Sequence, residues 1–283
     1  NTKGHELTLA ADIVKNNTFK WTSIVNFTAY KTEVMSLPFE QIDFANDAGA
    51  SEVYSRIKVG DAIGSLYAQS WRYENGKRFI AANGLPEMAK DANGAIAYTN
   101  VGNAFPDYVV TLNNNFKYKN WDLGFLVEYK KGGEVFDSAE RNGIRNGNLK
   151  MTEDRNHTTI LDGVKSDGAG GYVKNDISIM YDGNTYWRNA VVNRASEILI
   201  QDASWFKLRN VSLTYNFSKD LISRLKLVNV SLSLSGSNFL IWTPYRGFDP
   251  EGTQYGSGSN VYGFTGKSIP LTQSYSVGLN IGF

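Results

Sequence analysis

Apolar residues recur at every second position along much of this chain, a period that fits strands with two unlike faces and does not fit helices. In "HELTLAADIV" the alternating apolar residues are Leu7, Leu9, Ala11 and Ile13. "TFKWTSIVNFTAY" supplies Phe19, Trp21, Val25 and Phe27, and "DYVVTLNNNFKY" supplies Tyr108, Val110, Leu112, Phe116 and Tyr118. "NWDLGFLVEY" continues with Trp121, Leu123, Phe125, Val127 and Tyr129. "NVSLTYNF" gives Val211, Leu213, Tyr215 and Phe217, and "VNVSLSLSGS" gives Val228, Val230, Leu232 and Leu234. The last segment sets Tyr275, Val277, Leu279, Ile281 and Phe283 against Ser274, Ser276, Gly278, Asn280 and Gly282. One slip of phase stands out. Phe206 and Leu208 are even, whereas the series from Val211 is odd, which predicts a β-bulge near Arg209 and Asn210. Two weaker segments, near 64–73 and 77–82, bring the expected total to about nine strands.

Alternation alone fits a soluble sandwich and a membrane barrel equally. Length and connections separate them. Soluble strands average about 5–6 residues, whereas several segments here reach roughly ten or more, as a tilted membrane strand requires. Short connections at Asn16–Asn17, Glu74–Gly76, Lys119–Asn120 and 218–225 alternate with long ones at 35–62, 84–105, 132–202 and 243–270. One rim of tight turns opposite one rim of large loops is the outer-membrane pattern, with the large loops extracellular. The expected fold is therefore all-β, an antiparallel transmembrane β-barrel, with residues 1–283 forming part of one barrel domain. In the last strand the odd residues would face lipid and the even ones a polar lumen. A soluble all-β binding module is the competing reading.

Composition excludes other classes. Charge is balanced, 29 Lys+Arg against 28 Asp+Glu, so there is no general basic field for nucleic acid. Cysteine is absent, which removes disulfides and thiolate metal sites. His5 and His157 are the only histidines and lie far apart in sequence, so no metal site or catalytic triad is expected. "DANG" and "SDGAGG" do not complete a calcium loop, and "QYGSGSNVYG" lacks the Lys-Ser/Thr ending of a phosphate loop. Neither an enzyme nor a cofactor is expected. No apolar run approaches a membrane-spanning helix. No signal peptide is visible and the first residue is Asn1, so a processed or truncated chain is expected.

Binding residues often sit on loops held by a rigid scaffold. Segment 132–202 holds Tyr181, Tyr186, Trp187 and Arg188, and segment 243–270 holds Tyr245, Arg246, Phe248, Tyr255 and Tyr262. Aromatic rings can stack on sugars or fill peptide pockets, and Arg can pair with carboxylates. The same rings could instead form each loop's own small core. Trp21, Trp121 and Trp242 lie near strand ends, where an aromatic girdle would anchor them.

Longer stretches resemble one family. "GNAFPDYVVTLNNNFKYKNWDLGFLVEYKKGGEVF", "DASWFKLRNVSLTYNFS", "LSGSNFLIWTPYRGFDPEG" and the terminal "YSVGLNIGF" resemble, in order, the C-terminal part of SusC/RagA-type TonB-dependent transporters of Bacteroidetes outer membranes. The resemblance implies a 22-stranded barrel filled by a plug, importing oligosaccharides or peptides with a SusD-like surface lipoprotein and energised through TonB. It implies that the remaining strands and the plug lie outside this sequence. It also implies that the terminal strand, ending at Phe283, is the barrel-assembly signal. A structural or docking barrel of a cell-surface assembly, without transport, is the alternative function.

Overall fold

The computed structural model describes residues 1–44, 53–192, 196–255, 258–266 and 268–283. The parts of the expected loops at 45–52, 193–195, 256–257 and 267 lie outside the described residues. Seven long strands form one antiparallel sheet in chain order. They are β1 (Thr2–Lys15), β2 (Phe19–Thr32), β3 (Pro106–Tyr118), β4 (Trp121–Gly132), β5 (Trp205–Asn216), β6 (Asn229–Trp242) and β7 (Ser274–Gly282).

The register turns the sequence alternation into two unlike surfaces. One row across the sheet runs Trp21, Phe116, Leu123, Leu213, Leu234, Val277, apolar at every position. The adjacent row, one residue along each strand, runs Thr22, Asn115, Gly124, Ser212, Ser235, Ser276, small or polar at every position. Because the side-chain period is two, the first row belongs to one face and the second to the other. The apolar face is open: Val277 is 74% exposed, and Leu9, Trp121, Leu234, Trp242 and Leu279 are also exposed. An uncovered apolar sheet face with a polar reverse is the transmembrane barrel arrangement, in which lipid covers the outside. No helix among the described residues is long and apolar enough to cross a membrane.

The alternation in β3 skips position 114, and the structure shows why this is tolerated. Asn114 falls opposite Phe125 on the apolar face, yet it is buried. Its Oδ1 accepts a hydrogen bond from the Trp21 indole at 2.8 Å. The expected bulge falls at Arg209, which both neighbouring strands skip in the register.

The count of nine strands is corrected to seven in this sheet. Residues 65–69 belong to a separate four-stranded sheet with 41–44, 53–58 and 98–103, and 77–78 pairs with 73–74 in a two-residue ladder. Both weak segments lie inside a single connection, 33–105. The turn at Glu74–Gly76 joins that ladder and is not a turn of the short rim. The expected loops 35–62 and 84–105 are parts of this same connection. Alternation over five residues cannot distinguish a wall strand from a strand within a folded loop; the wall strands here have 9 to 14 residues.

The short connections, 16–18, 119–120 and 217–228, lie at one rim, and 33–105, 133–204 and 243–273 lie at the other. The three long connections do not stand as separate loops. They share one apolar core: Val53, Leu66 and Ala68 from the first, Phe136, Ile144, Trp187, Val192 and Leu199 from the second, and Phe264 from the third. A three-stranded sheet of 200–202, 134–137 and 264–265 stitches the second connection to the third.

Candidate functional site

Two neighbouring features occupy the junction between this cap and the sheet. The first is a cleft of about 250 Å³ beside α1 (Ser138–Asn146). The local sequence specifies this helix. Asp137 is the N-cap and accepts from the amides of Ala139 and Glu140, while Gly147 takes the left-handed conformation that ends the last turn. The other Asp137 oxygen accepts a 2.5 Å hydrogen bond from the Tyr245 hydroxyl. Arg246 grips Glu140 through two hydrogen bonds of 2.8 and 2.9 Å. Gln201 completes the knot, donating to Glu140 at 2.7 Å and accepting from the Arg246 amide at 2.9 Å. Burial and the Asp137 carboxylate push the Tyr245 hydroxyl well above the ordinary tyrosine range, so it serves as a hydrogen-bond donor. Leu149, Phe248, Asp249, Thr265 and Ser268 line the rest of the cleft.

The second feature is a charged cluster on the polar face of the sheet. Lys207 and Arg209, two residues apart in β5, share the polar side, and the bulge at Arg209 shifts the phase of the residues that follow. Lys207 Nζ lies 3.0 Å from Asp249 and 2.6 Å from Glu251. Arg209 lies 2.7 Å from Glu251 and 2.6 Å from Glu128. Glu128 also accepts from the Trp205 indole at 2.8 Å. Burial raises the Glu251 carboxyl, but hydrogen bonds from Arg209 and Lys207 outweigh it and hold the group below the usual carboxylate range. The cluster ties the connection 243–273 down onto β5.

The residues singled out from the sequence fall into three places. Tyr245, Arg246 and Phe248 come together at the cleft; Tyr245 is 5% exposed and Phe248 is 85% exposed. Tyr181, Tyr186 and Trp187 form one aromatic stack within the second connection. Tyr181 and Tyr186 have ring centroids 4.2 Å apart, and His157 stacks on Tyr181 at 4.9 Å. Burial, with the neighbouring Tyr186 and Asp154, pushes the Tyr181 hydroxyl up to about 12. Trp187 is 6% exposed and belongs to the shared core, so it is not offered to a ligand in this conformation. Arg188 beside it is exposed. Tyr262 packs on Phe105 at 4.9 Å, above the charged cluster.

Sequence reading does not single out Glu128, Lys207, Arg209, Asp249 and Glu251 as a group, although a signal is present. "FKLRN" places two cations at the phase slip of an otherwise alternating strand, and "FDPEG" supplies two acids to the connection above it. These two motifs, which carry most of the family resemblance, are the two halves of one ion-pair cluster.

No protein-family model matches the chain. It is 25% identical over 305 residues to TonB-dependent receptor P3 of Formosa agariphila, and 26% identical over 309 residues to TonB-dependent receptor P26 of the same organism. Each match covers 99% of this chain, and the chain spans 28% and 29% of the length of those relatives. Among solved structures, the RagAB peptide importer in its closed-closed state matches with a TM-score of 0.62 at 18% identity. Its open-open state matches at 0.65 and 17%. Both cover 100% of this chain, and 29% and 28% of the solved chains. With one apolar and one polar sheet face and one elaborate rim, the chain is thus similar along its whole length to TonB-dependent receptors and has the fold of a stretch of the RagAB barrel, which supports its reading as a SusC/RagA-type TonB-dependent transporter fragment.

Proposed function

We propose that this chain forms part of the wall and extracellular cap of a transporter that imports an oligomeric nutrient, an oligosaccharide or a peptide, across the outer membrane. The observation that carries the reading is the packing of all three long connections into one cap above a polar barrel face. Such a cap can hold substrate at the mouth of the lumen. The names of the relatives and the peptide-importer structures support the transport class. On this reading a SusD-like lipoprotein closes over the cap, TonB acts through a plug that the rest of the protein supplies, and the long connections face the cell exterior.

The work expected of these residues is binding and gating. Tyr245 and Arg246 hold the cleft in shape by fastening the third connection to α1. Phe248, exposed at its edge, offers a ring to a sugar face or an apolar side chain. Uptake of labelled oligopeptides and oligosaccharides by cells carrying the full-length protein tests this. Phe248→Ala should lower uptake several-fold while leaving the amount of assembled barrel unchanged. Unchanged uptake in this variant would remove the cleft from the transport path, and no uptake of either class by the parent protein would contradict the transport reading itself.

A further inference from the structure

Beside the charged cluster lies a further cation, Lys130, with no carboxylate in ion-pair contact among the described residues. It stands near the cap end of β4, is 8% exposed, and lines a cavity of about 280 Å³. Phe105, Trp205, Thr253 and Tyr262 also line this cavity. The ammonium lies 4.2 Å from the Trp205 ring centroid, so an aromatic face is what it meets among the described residues. The carboxylates whose charge reaches it are Glu251, Asp202 and Glu128. Each is engaged by another group. Glu251 holds Lys207 and Arg209, Glu128 holds Arg209 and the Trp205 indole, and Asp202 holds Ser204 and lies 3.8 Å from Lys131. A buried ammonium has three N–H donors, and an aromatic face satisfies its charge only in part. Lys130 also lines the cavity, so a ligand entering that space can reach it and offer its ammonium an acceptor.

We infer that this cavity is a binding subsite for a carboxylate group of the imported oligomer, with Lys130 as the cation that receives it. The inference rests on the transport reading above. A carboxylate suits the position because it supplies charge and acceptor oxygens together, and a charge-assisted hydrogen bond is about twice as strong as a neutral one. Glu251 lines the same cavity but is neutralised by its two cations, so it does not bar an anion. Phe105 and Tyr262, from two of the long connections and packed with their rings tilted at 51°, give the remainder of the ligand an apolar surface to rest on. Two polymers carry such a group: a peptide through its C-terminus or acidic side chains, and an oligosaccharide through uronate units.

The test uses the full-length transporter in detergent or bilayer nanodiscs. Binding is measured for two matched pairs: peptides with a free or an amidated C-terminus, and uronate-bearing or neutral oligosaccharides. The parent protein should prefer the acidic member of one pair at least about tenfold, the equivalent of one charge-assisted bond. The pair that shows the preference identifies the source of the carboxylate. Lys130→Gln should abolish the preference while leaving affinity for the neutral member unchanged, which also shows that the cavity is intact. Lys130→Arg should retain part of the preference. Binding of either polymer with no acidic preference, or a preference that survives Lys130→Gln, would overturn the subsite and leave the transport reading standing. Absence of binding and uptake of both polymers would overturn both.

Discussion

At the scale of single residues, the two faces of the sheet impose opposite demands on neighbours in sequence. Leu232 lies on the apolar face, opposite Tyr215 and Leu279, and the next residue, Ser233, faces the polar side opposite Thr214 and Gly278. Leu232→Arg should cost about 2–4 kcal/mol if the position lies near the bilayer midplane, because hydrocarbon cannot solvate the charge. Ser233→Arg should cost far less, since water on the lumen side can. Folding of the full-length barrel into lipid vesicles, titrated with urea, compares the two. Equal cost at both positions would contradict the assignment of faces. Asn114 shows how an exception is accommodated: a polar side chain on the apolar face is tolerated because the Trp21 indole occupies its carbonyl. Trp21 thus has a hydrogen-bonding task that its position near a strand end does not reveal.

At the scale of elements, the connection 243–273 is held to β5 by charge, and this makes its docking sensitive to pH. The Glu251 pKa is lowered on folding, so the carboxylate's contribution is fully present above the unfolded value, near 4.5. It is lost as pH falls through the folded value. Hydrogen exchange of the 243–273 amides in the full-length protein should therefore be slow and nearly constant from neutral pH to about 5, after correction for intrinsic rates. It should speed up below about 4, with Glu251→Gln showing fast exchange throughout. A connection equally protected at about pH 3.5 and about pH 7 would contradict the ion-pair latch.

The same elements show what is legible in the sequence. All seven wall strands are visible there, because an apolar/polar alternation sustained over nine or more residues, even with a skipped position or one change of phase, fits little besides a strand with two unlike faces. The Arg209 bulge is visible as a change of phase. The segments 64–73 and 77–82 read as wall strands but are not, because about five residues of apolar pattern suit a strand anywhere in a fold. The shared core of the cap is hidden for a different reason. Val53, Phe136, Trp187 and Phe264 come from three connections far apart in sequence, and no local period joins them. Tyr245 and Arg246 stand out as unusual loop residues, but their partners Asp137 and Glu140 lie more than a hundred positions away.

At the scale of the whole molecule, the sheet is an open wall. β1 and β7 each have one neighbour, and the register contains no pairing between them. Six reversals separate them, so they run in the same direction, and closing the set would require a parallel pair that bacterial single-chain barrels do not use. Left open in lipid, two rows of backbone N–H and C=O groups would each lack partners at several kcal/mol per group. Both edges are therefore expected to pair with other strands of a larger barrel. The central claim is that this wall spans the outer membrane with the three-connection cap outside. Because the chain contains no cysteine, single cysteines can be placed at will within it. The decisive measurement is labelling of intact cells with a membrane-impermeant maleimide, comparing Lys174→Cys in the cap with Asn17→Cys in the short-turn rim. Lys174→Cys should label on intact cells, and Asn17→Cys only after the outer membrane is broken; labelling in the opposite order, or of both positions on intact cells, would contradict the claim.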